Sequence, residues 1–465
     1  MTTGSSNPPP MRTFYQILAN TLVASVTNFT VWFAITFFVF LETRSVLATG
    51  VVAGIYLVTV AVSGFWFGSL VDRYKKKQVM LWSSAGSLLI YAVGFGMYIT
   101  APAGDFKDTA SLSLWIFVPL LLFGVILGNI RGIALPTVIT LLIPEDRRDK
   151  ANGLSGTAFG ISFLITSVIS GYLVGLAGMY WVLILAVIMT IACMLHLGTV
   201  PIPEAVTLHT GQAPPKLDIR GTWAAIGAIS GMFALILFTS FNNFLGGVFM
   251  ALMDAYGLSL VSVEAWGLLW GVLSVGFIVG GLAIAKWGLG RNPLRVMMGA
   301  NLLIWAVCSV FSLQASIVPL AVGMFIYICA VPYIEASEHT IIQKLVPPER
   351  QGRVFGFAQS VEMAASPLTA FLIGPIAQFV FIPFMTTGSG VQMIGGWFGT
   401  GPDRGIALVF TLTGILGVVL TLVALRSKYY RLLSQRYLEG VPEIAEVSTQ
   451  VAAPSIQHSA SSDRN

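Results

Sequence analysis

Twelve apolar stretches follow one another along this chain, each near or beyond the roughly 20 residues a helix needs to cross a hydrocarbon core of about 30 Å. They run over 14–41, 46–71, 78–100, 113–143, 153–177, 179–199, 222–250, 264–287, 294–314, 316–346, 354–384 and 405–425. Only 10% of the 465 residues are charged and 56% are hydrophobic, far from the balance of a soluble domain. The chain therefore reads as an all-α polytopic membrane protein of twelve transmembrane helices, with the lipid bilayer as its first partner. The narrowest division is the Gly175–Gly178 neighbourhood between helices 5 and 6.

Charge placement supplies the orientation. Lys and Arg are retained on the cytoplasmic side, and twelve spans put both termini on one face. That face then holds Arg12, Arg73, Lys75–Lys77, Arg147, Arg148, Lys150, Lys216, Arg220, Lys286, Arg291, Arg295, Lys344, Arg350, Arg353, Arg426, Lys428, Arg431, Arg436 and Arg464. The outer loops keep Arg44, Lys107 and Arg404, and Arg131 lies inside a span. The formal net charge of +5 thus records orientation in a plasma membrane and not nucleic-acid binding. Cys193, Cys308 and Cys329 fall in apolar spans without metal-ligand spacing and read as small packing groups. No cofactor or metal is expected. The first span has no cleavage signal after it and reads as a retained helix.

An internal repeat divides the chain. A shift of 203 places Pro144, Asp146, Arg147, Lys150 and Gly153 on Pro347, Glu349, Arg350, Arg353 and Gly356. A shift of 213 places Gly68, Asp72, Arg73 and Tyr74 on Gly281, Ala285, Lys286 and Trp287, a decayed copy. Two six-helix pseudo-repeat bundles are expected at 14–199 and 222–425. A cytoplasmic tail (1–13), a cytoplasmic linker (200–221) and an interfacial segment with a disordered tail (426–465) complete the expected organisation. Glycines recur four apart at Gly64/Gly68, Gly156/Gly160, Gly171/Gly175, Gly267/Gly271 and Gly276/Gly280, a spacing that lets helix backbones approach, for sliding or for static packing.

The segment Gly68-Ser-Leu-Val-Asp72-Arg73-Tyr-Lys-Lys76-Lys77 resembles the Gly-x-x-x-Asp-Arg-x-x-basic-basic signature that joins helices 2 and 3 of major facilitator superfamily transporters, with Lys75 where that pattern usually has Gly. The resemblance implies the major facilitator fold, a small-molecule substrate, a monomer and no enzymatic activity. It also implies that Asp72 meets the start of helix 11 near Gly352 and Arg353, keeping the inner side closed, where a helix N-terminus attracts negative charge. Pro144–Ser155 and Pro347–Ser360, especially Gln351-Gly-Arg353-Val-Phe-Gly356, resemble drug:proton antiporters of the macrolide-efflux type. Thr166 and Ser167 stand where such antiporters often carry Gly-Pro.

Ionisable groups inside a bilayer are costly and point to function. Arg131 and Glu335 stand 13 and 12 residues from the inner ends of helices 4 and 10, roughly 18–20 Å along a helix and so near mid-membrane. Glu335, Glu338 and His339 share one face of helix 10. Burial favours the neutral form of a carboxylic acid, so Glu335, with Glu338 second, Arg131 as tuner and His339 nearby, is expected to handle a coupling proton. A structural Arg131–Glu335 pair is the competing reading, and Glu362 reads as structural. Asn28, Trp32, Asn242, Asn243 and Phe244 lie on helices 1 and 7, where amides beside aromatics suit a bulky amphipathic substrate.

Rival functions leave weaker traces. The chain has no Gly-Lys pair, so it lacks the phosphate loop of an ATP-driven pump. No histidine deep in a span has an evident Ser or Cys partner for catalysis. Secondary transport, here proton-coupled efflux, is the reading the sequence carries; exporters of a siderophore, metabolite or lipid, and a non-transporting receptor or scaffold, remain the alternatives.

Overall fold

The computed structural model describes residues 10–102, 104–203 and 219–439. The sequence regions 1–9, 204–218 and 440–465, which include most of the expected linker and tail, lie outside the described residues. Twelve helices are long and apolar enough to span a membrane. Helices 1 to 6 are Met11–Thr43, Ala48–Arg73, Lys76–Thr100, Leu112–Leu142, Glu145–Ala177 and Tyr180–Thr199. Helices 7 to 12 are Met232–Leu260, Ala265–Trp287, Pro293–Val310, Ile317–Leu345, Pro348–Thr386 and Pro402–Arg426. Large apolar side chains such as Val58, Leu89, Leu195 and Leu268 point outward. In water that belt would be a liability; in a bilayer it meets lipid tails of its own polarity.

Glycines set several boundaries. Gly178 (φ 58°) ends helix 5, and a Cβ there would strike the Tyr98 hydroxyl, so the narrow division before helix 6 is a built break. Helix 7 departs from its expected start at 222. A short helix, Ile219–Gly227, comes first, and the span begins only at Met232. Between them Gly231 takes φ 91° and lies against the Tyr429 carbonyl and Leu433, a left-handed turn that hydropathy does not register. The twelfth span leads into Lys428–Glu439, which buries Leu433 and Tyr437.

The repeat is visible in backbone geometry. A single 3₁₀ turn, Glu145–Arg147 or Pro348–Arg350, opens helices 5 and 11. The residues that cap these helices, Arg147 and Arg350, share φ −123° with ψ 0° and −1°.

Arg404, expected in an outer loop, is instead buried in the first turn of helix 12, 2% exposed. It donates to the carbonyls of Phe398 (2.6 Å), Ser312 (3.0 Å) and Leu313 (2.8 Å) and to the Tyr256 hydroxyl (3.3 Å). Its guanidinium also lies 4.3 Å from the Phe398 ring centroid. One side chain thus ties together helix 7, the 9–10 connection and the 11–12 connection. Arg404→Leu is expected to destabilise the fold by roughly 3 kcal/mol or more, since several carbonyls lose a charged donor. Fluorescence-monitored thermal unfolding of detergent-purified protein checks this, and an unchanged midpoint would contradict it.

Candidate functional site

The two halves meet where the sequence concentrates its cations, here called the basic face. On helix 2, Asp72 is 3% exposed; its Oδ1 accepts from the Gly352 amide at 2.7 Å and its Oδ2 from the Arg353 amide at 3.0 Å. The Arg353 Nε lies 3.4 Å from the same Oδ2. Helix 11 begins here, so its unsatisfied amides and positive dipole end face a carboxylate. Such proximity requires glycine: a Cβ on Gly68 would collide with the Gly352 carbonyl, and one on Gly64 or Gly356 with the opposing helix. Among the other signature cations, Lys77 donates to the carbonyls of Gly198 (2.9 Å) and Val200 (2.7 Å). Lys76 is buried within electrostatic reach of Asp72, and Arg73 faces Tyr74 at 5.6 Å.

The second seam, between helices 5 and 8, uses an acid that the sequence reading passed over. Ala285 occupies the repeat position of Asp72, yet Asp149 reaches across from helix 5 and accepts from the Leu289 amide at 2.7 Å. Gly288 (φ 72°) turns the chain beneath it. Gly153 and Gly281 give this seam its close approach to Ile284 and Thr157.

Amide side chains fill the space between the seams. Thr140 donates to Gln351 Oε1 at 2.8 Å, Asn152 to Gln343 Oε1 at 2.8 Å and Thr340 at 2.9 Å, and Gln343 to the Pro136 carbonyl at 2.9 Å. Lys344 of the C-terminal half pairs with Glu145 of the other at 2.9 Å. Towards the opposite face the contacts end: added Cβ atoms on Gly50, Gly54, Gly175, Gly267 and Gly271 would meet nothing within 4 Å. The molecule is closed at the basic face and splayed at the other.

Above the closed seam lie two adjoining cavities that share Ser25, Gly132 and Phe159. The smaller, about 170 Å³, is lined by Glu335 and His339. Glu335 is exposed to it, while His339 packs edge-on against Phe355 at 5.3 Å. Behind Glu335 the chain places a cluster not foreseen as a unit. Glu338 is 7% exposed and lies within hydrogen-bond reach of the Glu362 carboxyl and of Thr239. Thr239 donates to Glu362 Oε1 at 2.7 Å, and Glu338 Oε1 has no hydrogen-bond partner among the described residues. A hydrogen bond between two carboxyl groups requires a proton on one of them. The structure thus brings Glu362, read from sequence as structural, into the same group as Glu335 and Glu338.

Arg131 does not join that group. Its guanidinium donates to Asn20 Oδ1 and Ser84 Oγ, each at 2.8 Å, so the Arg131–Glu335 ion pair is absent. Arg131 lines the larger cavity, about 580 Å³, with Asn28, Tyr56, Tyr91, Asn129, Phe163, Met250, Gln359 and Met363. Asn28 donates to Asn129 Oδ1 at 3.2 Å and accepts from Tyr91 at 3.3 Å. Asn129 sits at the break in helix 4, and Trp32 stacks on Tyr56 at 3.9 Å.

The helix 7 candidates go elsewhere. Asn242 Oδ1 accepts from Trp305 Nε1 at 2.6 Å and its amide donates to the Phe238 carbonyl. Asn243 bonds back to the Thr239 carbonyl at 3.2 Å, and Phe244 packs on the core of the C-terminal half. None of the three lines either cavity, because each is occupied with its own half.

Residues 17–370 match the family model described as Major Facilitator Superfamily. The chain belongs to this superfamily. It is a secondary transporter, not an enzyme, with twelve spans in two six-helix bundles. It is 23% identical over 372 residues to macrolide efflux protein A of Streptococcus pyogenes, covering 77% of this chain and 88% of that one. Its fold is similar to a bacterial homologue of the iron transporter ferroportin in an outward-facing state (TM-score 0.68, 14% identity, 89% and 99% coverage). It is also similar to the human organic anion transporter MFSD10 (TM-score 0.64, 13% identity, 89% and 100% coverage).

Proposed function

We propose that this transporter exports amphipathic small molecules from the cell by alternating access, driven by protons entering through the Glu335–Glu338–Glu362 group. The observation that carries the reading is the acid group itself: Glu338 and Glu362 within hydrogen-bond reach of each other, with Glu335 nearby lining a cavity open to one face, on helices that also form the closed seam. A proton arriving from the open side meets Glu335 first. Glu338 and Glu362 lie behind it, next to helices 7 and 11, whose packing must change when the halves rock. The likeness to macrolide efflux protein A over most of both chains supports efflux. Substrate-dependent proton flux in proteoliposomes tests the proposal, and substrate movement indifferent to an imposed proton gradient would remove it.

Asp72 and Asp149, with Gly68, Arg73, Lys76, Lys77 and Arg353 around the first of them, act in this reading as latches that hold the basic face shut. That face is cytoplasmic, because Lys and Arg accumulate there. Cysteines placed at exposed Asp108 and Met393 are therefore expected to react with an impermeant maleimide in intact cells. One at Gln435 reacts only after permeabilisation. External labelling at Gln435 would reverse the orientation and with it the direction of transport.

A further inference from the structure

The larger cavity holds a cation with no counter-charge among the described residues. Arg131 is 5% exposed, and its two hydrogen bonds go to neutral acceptors, Asn20 and Ser84, leaving other guanidinium donors unspent. Among the described residues it forms no ion pair with a carboxylate. Glu335, Glu338 and Glu362 all stand on helices 10 and 11, and none of them lines the larger cavity. An isolated charge deep in a membrane protein is costly unless something completes it.

Other unspent donors face the same space. Tyr56 accepts from Asn129 at 3.4 Å, but its own O–H has no acceptor among the described residues. The Gln359 side chain has no hydrogen-bond partner among them, and its Nε2 lies 3.9 Å from where a Cβ on Gly132, beside Arg131, would stand. Phe159, Phe163, Met250 and Met363 give the cavity apolar walls. Donors without acceptors, a buried guanidinium and apolar walls complement a molecule that brings a negative head on a hydrophobic body.

We propose that the larger cavity binds an amphipathic organic anion, its carboxylate or sulfonate on Arg131, Tyr56 and Gln359 and its skeleton against the aromatic and Met side chains. Arg131 and Tyr56 belong to the N-terminal half and Gln359 to the C-terminal half, so the anionic head bridges the two halves. This rests on the export reading and narrows its substrate class.

Scintillation-proximity binding of radiolabelled cholate to the purified protein in nanodiscs tests it, with methyl cholate, tetraphenylphosphonium and sulfate as competitors. Cholate is expected to bind saturably, and its uncharged ester to compete about tenfold or more weakly, the loss that follows from one charge-assisted bond. Arg131→Gln should weaken cholate binding by about tenfold or more on the same grounds. Tyr56→Phe and Gln359→Leu, which leave the Arg131 network in place, should each weaken it measurably in monodisperse protein. Equal competition by methyl cholate, displacement by sulfate as effective as by unlabelled cholate, or full affinity in both Tyr56→Phe and Gln359→Leu would overturn the assignment. Saturable binding of tetraphenylphosphonium without any of cholate would overturn it too, while leaving export of amphipathic molecules standing.

Discussion

Glu338→Gln is expected to abolish proton-driven uphill transport while preserving exchange of substrate down its own gradient. Glu338 is buried within hydrogen-bond reach of Glu362 and Thr239, and two carboxyls can hydrogen-bond to each other only with a proton on one of them. A glutamine offers Glu362 the same donor permanently, so the variant imitates the loaded state and cannot leave it. Substrate binding in the larger cavity uses none of these groups, which is why downhill exchange survives. Glu335→Gln is expected to slow coupled transport by removing the carboxyl open to the cavity. Proteoliposomes with an imposed pH step separate the two activities. If Glu338→Gln still concentrates substrate with unaltered pH dependence, the acid group serves packing alone and the coupling assignment falls.

The spans, the repeat and the Asp72 signature were legible because each leaves a one-dimensional trace: hydropathy over about 20 residues, a spacing of 203 or 213, an acid among cations. Azimuth leaves none. Arg131 and Glu335 lie at matching depth in the two halves, yet under the repeat Arg131 aligns with Ile334, one residue away from Glu335. One residue is about 100° around a helix, enough to turn Arg131 toward Asn20 and Ser84 and to leave Glu335 beside His339. The same limit misplaced Asn242, whose depth suits a cavity but whose direction leads to Trp305. Glu362 was read as structural, and its neighbours Thr239 and Glu338 left no trace because they are 123 and 24 residues away along the chain and meet it only after three helices pack. Asp149 escaped notice because the repeat pointed to Ala285, whereas the acid at the second seam stands on the opposite helix.

Asp72→Asn combined with Asp149→Ala is expected to open the basic face. Each oxygen of Asp72 accepts from an amide at the start of helix 11. Asparagine supplies one acceptor and turns an NH₂ group toward the second N–H, replacing an attraction with a donor–donor clash. Asp149→Ala removes the bond to Leu289 at the other seam. Hydrogen bonds to a charged group are worth roughly 1.5–3 kcal/mol each, and each 1.4 kcal/mol is about tenfold in an equilibrium. Two states that interconvert in every transport cycle must lie within a few kcal/mol of each other, so losing both latches is enough to reverse the preference for the closed seam. Spin labels at exposed Tyr74 and Glu349 straddle the first seam, and the double variant should shift their distance distribution to longer values, with each single variant between it and the parent. Because the latches act on a shared equilibrium and not on folding of either half, the thermal midpoint should move little. A distance distribution that stays at the parent value in the double variant would show that the interlocked Thr140, Asn152, Gln343 and Gln351 side chains alone hold the face shut, with the two acids as passive caps.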